Sequence, residues 1–175
     1  MQEAFEAVQK KGFSKDFEFH LEVKSPDNKL VDNILELLEA SPEIDKQTYI
    51  RSFQEGVLQR AKEKRPDKSY CLLLSGTKEL NDEKSFYTTG STLVDKLPDV
   101  QGIKDICGFK PEQVAVEHNI VTDKFIKNMH KEGIEVEVYT LNDINLLKSR
   151  AVDRITTDFP VEISSQINKP QKARL

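Results

Sequence analysis

Hydrophobic and polar residues alternate strictly along the segment FEFHLEVK, residues 17–24. Its apolar side chains belong to Phe17, Phe19, Leu21 and Val23. A period of two residues predicts a β-strand with one apolar and one polar face. Glu22 and Lys24 share the polar face at the end of this strand, just before the turn sequence SPDN. That face borders either solvent or a site.

Helical and strand-like patterns alternate along most of the chain. Strands are predicted at residues 17–24, 48–53, 69–76, 112–119, 134–142 and 152–160. Helices are predicted at residues 1–11, 29–40, 54–64, 91–97, 103–107, 122–133 and 143–150. No hairpin signal separates any two of these strands. The pattern therefore predicts parallel strands joined by right-handed helical crossovers.

Two architectures fit this order of elements, a doubly wound sheet and a (β/α)8 barrel. A nucleotide-binding doubly wound sheet should carry a glycine-rich loop after a strand. The chain contains neither GxGxxG nor GxxxxGK[ST]. This difference argues against a dinucleotide-binding domain.

Composition narrows the class of protein. The 175 residues suit one domain, and the net charge of −4 gives no reason to expect nucleic acid or an anionic membrane as a partner. No stretch approaches the roughly 20 apolar residues of a membrane span. The N-terminal residues lack the apolar region of a signal peptide. A cytoplasmic protein is the default expectation, and the alternative is an export signal lost with the N-terminus. Cys71 and Cys107 belong to no CxxC pair, and we expect two reduced thiols in a core.

Candidate chemistry lies at the carboxyl ends of the predicted strands, where both architectures bind ligands. Glu22 could bind a hard cation such as Mg²⁺ or Ca²⁺, and Lys24 beside it could face a phosphate. The alternative is a structural Glu22–Lys24 pair that braces the end of a barrel. Asp158 could line the same site or cap the turn made by the next two residues.

The three histidines are predicted to be structural. His20 points the same way as Glu22 but two residues deeper, in a core layer. His118 is expected in a hydrogen-bonded loop, and His130 in solvent at a helix end, where an imidazole suits the helix dipole. No Ser-His-Asp or Cys-His arrangement is visible, so spacing alone leaves the function open.

Four segments together resemble one protein family. HLEVKS (20–25) is similar to the N-I-E-I-K strand of the glycerophosphodiester phosphodiesterases, and YIRSFQEGVLQRAKEKRPD (49–67) to their SF-D-x-x-x-L strand and helix. GIEVEVYTLND (133–143) is similar to their G-x-x-V-x-V-[WY]-T-V-N strand. AVDRITTDFP (151–160) is similar to their closing G-V-D-x-I-x-T-D-x-P. All four occur in the family's order.

The resemblance implies a (β/α)8 barrel that hydrolyses glycerophosphodiesters to glycerol 3-phosphate and an alcohol. In this family a divalent metal, usually Ca²⁺ or Mg²⁺, lies at the strand ends with a pair of histidines as acid and base. Carried onto this chain, the resemblance implies Glu22 as a metal ligand and Lys24 as the catalytic, phosphate-side cation. Tyr139 stands at the aromatic position of the wall that would contact the substrate.

The chain also departs from the family pattern. The opening strings H-R-G, E-x-D and H-D, which supply both histidines and two metal carboxylates, do not occur. The matched segments correspond to strands three to eight. We therefore expect an incomplete TIM (β/α)8 barrel of about six βα units over residues 1–165, with a polar basic tail over 166–175. The first helix would fall inside a βα unit, as in a truncated product, a fragment or half of a split gene.

These departures lead to three hypotheses about function. The first is a phosphodiesterase that is inactive as this chain alone, because the acid, the base and two metal carboxylates are missing. The second is a non-catalytic barrel fragment that binds a complementary chain or itself through open strand edges. The third is an unrelated α/β domain in which Glu22 and Lys24 are a structural pair.

Three smaller departures concern single residues. Gln54 replaces the usual Asp after Ser52-Phe53, and Ala151 replaces the usual Gly. Glu137 lies on the same face as Tyr139, where the family often has an aliphatic residue. A buried carboxylate needs a partner, and we expect Glu137 to pair with His20 or Lys24.

Overall fold

The described part of the chain is built around one parallel sheet. The computed structural model describes residues 2–76, 93–94, 97–147 and 151–167. The strands are β1 Phe19–Glu22, β2 Thr48–Ser52, β3 Ser69–Gly76, β4 Leu93–Val94, β5 Gln113–Glu117, β6 Glu135–Tyr139 and β7 Arg154–Ile155. Their order in the sheet is β1-β2-β3-β5-β6-β7, all parallel, and β4 pairs with the end of β3.

Helices connect these strands. They are α1 Gln2–Lys11, α2 Asn28–Glu39, α3 Pro42–Lys46, α4 Glu55–Lys64, α5 Val100–Cys107, α6 Asp123–Lys131 and α7 Pro160–Ile167, with a 3₁₀ turn at Ile144–Leu146. Side-chain caps start several of them. Thr122 Oγ1 accepts from the backbone N–H of Phe125 at 3.2 Å, as predicted for α6. None of the described helices is long and apolar enough to cross a membrane.

Several elements differ from the sequence predictions. Leu93 and Val94 form β4 where a helix was expected at 91–97, and Leu97 is not helical. Residues 91–92 and 95–96 lie outside the described part. The helix expected at 143–150 is only a 3₁₀ turn capped by Asp143, with 148–150 outside the description. Helices α3 and α7 were not predicted. Each begins with a proline, which suits the first turn of a helix because its missing N–H is not needed there.

The outer face of the sheet carries the main core. Every second residue along each strand belongs to this core and packs against the helices, for example Ile50, Leu72, Val114 and Val136. The Cys107 side chain on α5 belongs to this core and is fully buried. The alternation explains why β2, β5 and β6 could be read as strands from sequence.

The opposite face, called the inner face below, carries a much smaller apolar cluster. It consists of Cys71, Leu73 and Ala115, with Phe53 and Tyr139 packed against it. All five lie on strands or directly after one, and no helix residue contributes to this cluster within the described part of the chain. A doubly wound sheet would place helices on this face as well.

The sheet is also curled. Arg154 on β7, at one end of the strand order, forms an ion pair with Glu18, which precedes β1 at the other end. The predicted fold, an incomplete TIM barrel with parallel strands, is therefore confirmed. The boundary predicted between the domain and its tail, at residues 165 and 166, falls within α7, which continues to Ile167.

The central strand β3 should dominate stability. Leu72 is fully buried between the sheet and the helices, so Leu72→Ala should lower the free energy of unfolding by about 2–5 kcal/mol. Leu30 on α2 is 37% exposed, and Leu30→Ala is the matched control with a much smaller loss. Urea denaturation followed by circular dichroism measures both, and equal losses would contradict this packing.

Candidate functional site

Glu22 and Lys24 stand at the carboxyl end of β1. Both side chains are exposed, whereas Val23 between them is buried at 2% exposure. The backbone N–H of Val23 still donates to the carbonyl of Arg51 at 2.8 Å, so the strand pairing continues to this point. Alternation along β1 places Glu22 and Lys24 on the side of the inner face. No ion pair involves either residue within the described ranges, which argues against the structural-pair alternative.

The Tyr139 side chain lies on the inner face, at the carboxyl end of β6. Its hydroxyl donates to the carbonyl oxygen of Leu74 at 2.7 Å, and its ring meets that of Phe53 edge-on at 5.8 Å between centroids. The ring therefore closes the apolar cluster of the inner face toward the carboxyl ends. The predicted contact of Tyr139 with substrate stays a prediction.

A second carboxylate, Glu117, lies at the end of β5 and is buried at 6% exposure. It accepts a hydrogen bond from the Ser75 hydroxyl and one from the Gly76 backbone N–H, the latter at 3.2 Å. A side chain at Gly76 would come within 3.3 Å of the Glu117 carboxylate, so the glycine allows this close approach. The sequence placed Glu117 at a strand end but gave no sign of its burial or partners.

Charged side chains cluster deeper on the inner face. Glu137 is 2% exposed, and its Oε1 accepts from Arg51 Nη1 at 2.9 Å. The same carboxylate accepts from the Thr156 hydroxyl and lies 3.8 Å from His20 Nδ1. The expected pairing of Glu137 with His20 is confirmed, but Arg51 is the closer partner. Arg51 could have been found from sequence, because it alternates with Tyr49 and Phe53 along β2.

Arg154 forms the other half of this cluster. Its guanidinium pairs with Glu18 and, at 2.9 Å, with Glu135 on β6. It also lies 5.5 Å from the centre of the Tyr49 ring, and the His20 ring stacks on the same tyrosine at 5.1 Å. The side chains of β1, β2, β6 and β7 therefore meet on the inner, concave face of the curled sheet.

Burial lowers the pKa of His20 below its ordinary value. Desolvation is the main cause, Glu137 opposes it, and the positive charge of Arg51 adds to it. His20 is therefore a neutral member of the deep cluster, as the core-layer prediction required. It does not stand at the carboxyl edge beside Lys24.

The two other histidines have different surroundings. His118 is half-buried, and its Nδ1 has no hydrogen-bond partner in the described part of the chain. His130 is exposed but is hydrogen-bonded to Asp153 Oδ2 at 2.7 Å, so it is more than a solvated residue. Asp158 accepts from the Asn142 side chain at 2.8 Å, which supports its role in the turn before α7.

The expected divalent metal does not fit the donors present. Among the residues that the structure describes, no group of three or more His, Cys, Asp or Glu side chains could hold an ion. Ca²⁺ takes 6–8 oxygen ligands, and Glu22 supplies a single carboxylate. The residues that the structure describes therefore do not form a complete site for such an ion.

Comparison with protein families decides the relationship. The model of the glycerophosphoryl diester phosphodiesterase family matches residues 1–162. The chain belongs to this family. Comparison with curated protein sequences gives no significant match.

Solved structures of the family share the fold. A glycerophosphodiester phosphodiesterase from Parabacteroides distasonis matches with a TM-score of 0.69 and 17% identity over 95% of this chain. A provisionally assigned one from Galdieria sulphuraria matches with a TM-score of 0.73 and 17% identity over 96% of this chain. An Oleispira antarctica phosphodiesterase matches with a TM-score of 0.65 and 20% identity over 97% of this chain. This 175-residue chain covers 61–63% of the length of these three proteins.

The Arg51–Glu137 pair should be essential to the inner face. Glu137→Gln leaves a buried guanidinium without its counter-ion, which should cost about 3–5 kcal/mol of unfolding free energy in urea denaturation. Asp32→Asn is the control, because it breaks a pair with Arg60 at the protein surface and should cost much less. A Glu137→Gln loss no larger than that of Asp32→Asn would contradict the assignment.

His20 should make stability depend on pH. Since its pKa is lowered on folding, the unfolded chain binds the imidazole proton first, at about pH 6.5. Stability is therefore retained above that pH and falls as the pH drops toward the folded pKa. His20→Gln should flatten this part of the stability profile. Parallel profiles for wild type and His20→Gln would refute the effect.

Proposed function

We propose that this chain takes part in the hydrolysis of glycerophosphodiesters to glycerol 3-phosphate and an alcohol. The observation that carries the proposal is the family match over residues 1–162. The Oleispira antarctica phosphodiesterase was solved in complex with the product sn-glycerol-3-phosphate, which supports the same class of product here.

Lys24 is the proposed cation on the phosphate side. The Lys24 side chain is exposed to solvent at the carboxyl end of β1. Among the residues that the structure describes, no carboxylate pairs with its ammonium and would compete with a phosphate. A positive charge fixed at this position would offset the charge that develops on the phosphoryl oxygens during hydrolysis. Glu22, two residues earlier on the same face, is the proposed metal ligand, and Tyr139 the proposed aromatic wall.

We propose that the residues described by the structure lack a complete set of catalytic groups. Phosphodiester hydrolysis needs a proton donor for the leaving alkoxide. His20 lies in the ionic cluster with Glu137, and His130 is hydrogen-bonded to Asp153 at the end of α6. His118, directly after β5, is then the remaining histidine, where the resemblance to the family implies a pair. A divalent ion would need ligands besides Glu22. We therefore propose that the 175-residue chain alone does not turn over substrate.

A non-catalytic role is the second candidate. Within the described residues, β1 pairs only with β2 and β7 only with β6, so each leaves an open edge. Open edges can pair with further strands. Binding of a complementary chain, or of a second copy, would use these edges. Analytical ultracentrifugation with and without a candidate partner would detect either.

The catalytic proposal predicts binding without turnover. The purified chain should release no glycerol 3-phosphate from glycerophosphocholine with Mg²⁺ or Ca²⁺ present, as measured by a coupled enzymatic assay. It should bind glycerol 3-phosphate weakly in an NMR titration, and Lys24→Met should abolish this binding because the ammonium is lost. Lys29→Met, at an exposed position on α2, is the control and should bind normally. Metal-dependent turnover by the chain alone would refute the inactivity, and binding that survives Lys24→Met would refute the role of Lys24.

A further inference from the structure

Two side chains at the end of β2 hold the backbone at the end of β1. The Ser52 hydroxyl donates to the carbonyl oxygen of Val23 at 2.7 Å. The Gln54 side-chain amide donates to the carbonyl oxygen of Lys24 at 2.8 Å. The backbone N–H of Gln54 in turn donates to the Ser52 hydroxyl at 3.0 Å, which joins the two contacts. Together, Ser52 and Gln54 are called the clamp below.

The clamp replaces strand pairing at the point where it stops. The last backbone bond of the β1–β2 ladder runs from the Val23 N–H to the Arg51 carbonyl at 2.8 Å. Beyond it, the carbonyls of Val23 and Lys24 have side-chain donors instead of strand partners. Ser52 is fully buried and Gln54 is 6% exposed. The Ser52 contact is therefore shielded from water, which strengthens its hold on the backbone, whereas the Gln54 contact to the exposed Lys24 is only partly buried.

Gln54 is an unusual residue for its own position. It is the N-cap of α4, where Asn, Asp and Ser are preferred because a short side chain can accept from the first helical N–H groups. The Gln54 side chain makes no such cap bond and reaches Lys24 instead. An aspartate, the residue usual in the family at this place, could not donate to a carbonyl when ionised. Gln54 therefore lacks the cap bond that favours a helix start, and its side chain instead forms the hydrogen bond to the Lys24 carbonyl.

We infer that Ser52 and Gln54 are positioning residues that fix the backbone of Lys24 and so set where its ammonium meets a phosphate. This inference rests on the phosphate-side role of Lys24 proposed above. The exposed Lys24 side chain makes no ion pair in the described residues, so backbone anchoring is what limits its range. Loss of the clamp should leave the charge in place but spread it over more positions.

Gln54→Asn separates positioning from a merely structural role. Asparagine is a better N-cap than glutamine, so α4 should remain intact, but its shorter amide cannot reach the Lys24 carbonyl. We expect lower ¹⁵N order parameters at Lys24 and Ser25 and about threefold to tenfold weaker binding of glycerol 3-phosphate in an NMR titration, with the helical circular dichroism signal retained. Ser52→Ala should loosen the same two residues.

A matched control comes from α4 itself. Gln59 also donates its side-chain amide to a backbone carbonyl, that of Ile106, at 3.1 Å. Gln59→Asn removes a bond of the same type away from β1 and should change neither the order parameters of Lys24 nor the binding of glycerol 3-phosphate. Gln54→Glu, which keeps the length but loses the donor, is the second variant if Gln54→Asn folds poorly.

The outcomes separate this inference from the proposed function. Looser Lys24 with weaker binding supports both. Looser Lys24 in a chain whose wild type shows no binding supports the clamp and refutes the proposed phosphate site. Order parameters of Lys24 that are unchanged in Gln54→Asn and Gln54→Glu overturn the inference, whatever the binding shows. Equal loosening by Gln59→Asn overturns it as well.

Discussion

The contact between Glu137 and Arg51 is the constraint on which the inner face depends. A buried carboxylate at 2% exposure is tolerated only with a counter-charge and hydrogen-bond donors. Arg51 and the Thr156 hydroxyl provide them from β2 and from the end of β7, and His20 approaches from β1. These groups come together only if the sheet curls. The charges thus select a curved sheet over a flat one, as apolar packing on the outer face alone would not.

The apolar cluster of the inner face lies beside this network, because Cys71 is the register partner of Arg51 and Ala115 that of Glu137. Phe53 and Tyr139 close the cluster, and the Tyr139 hydroxyl is bonded to the Leu74 carbonyl. Arg51 and Glu137 are buried and paired with each other, whereas Glu22 and Lys24 at the end of β1 lie in solvent. The inner face is therefore divided into a buried structural layer and an exposed edge suited to a ligand. His20 belongs to the buried structural part, next to Glu137.

Much of the fold could be predicted from periodicity, because each strand alternates between two faces that meet different environments. The order of most elements and the face that Glu137 shares with Tyr139 follow from that alternation. The partial barrel was implied by the resemblance to the family, because periodicity alone left a barrel and a doubly wound sheet open. Partners across the sheet could not be predicted, since Arg51 and Glu137 are 86 residues apart and only the curvature brings them together. The bond from Gln54 to Lys24 could not be predicted either, because the sequence placed Gln54 in the helix at 54–64 and shows no link to a residue 30 positions earlier. Helices α3 and α7 were missed because their opening prolines were read only as ends of the preceding element.

The two cysteines lie on opposite faces of the sheet, and this gives the protein a pair of internal reporters. Cys71 belongs to the inner cluster and Cys107 to the outer core, and both side chains are fully buried. Burial raises the pKa of both thiols, that of Cys107 to about 12, so neither is a reactive thiolate while the protein is folded. Alkylation at each cysteine then records how often its own layer opens to the reagent. Comparison of the two labelling rates would tell whether the concave and convex layers separate independently or melt as a single cooperative unit.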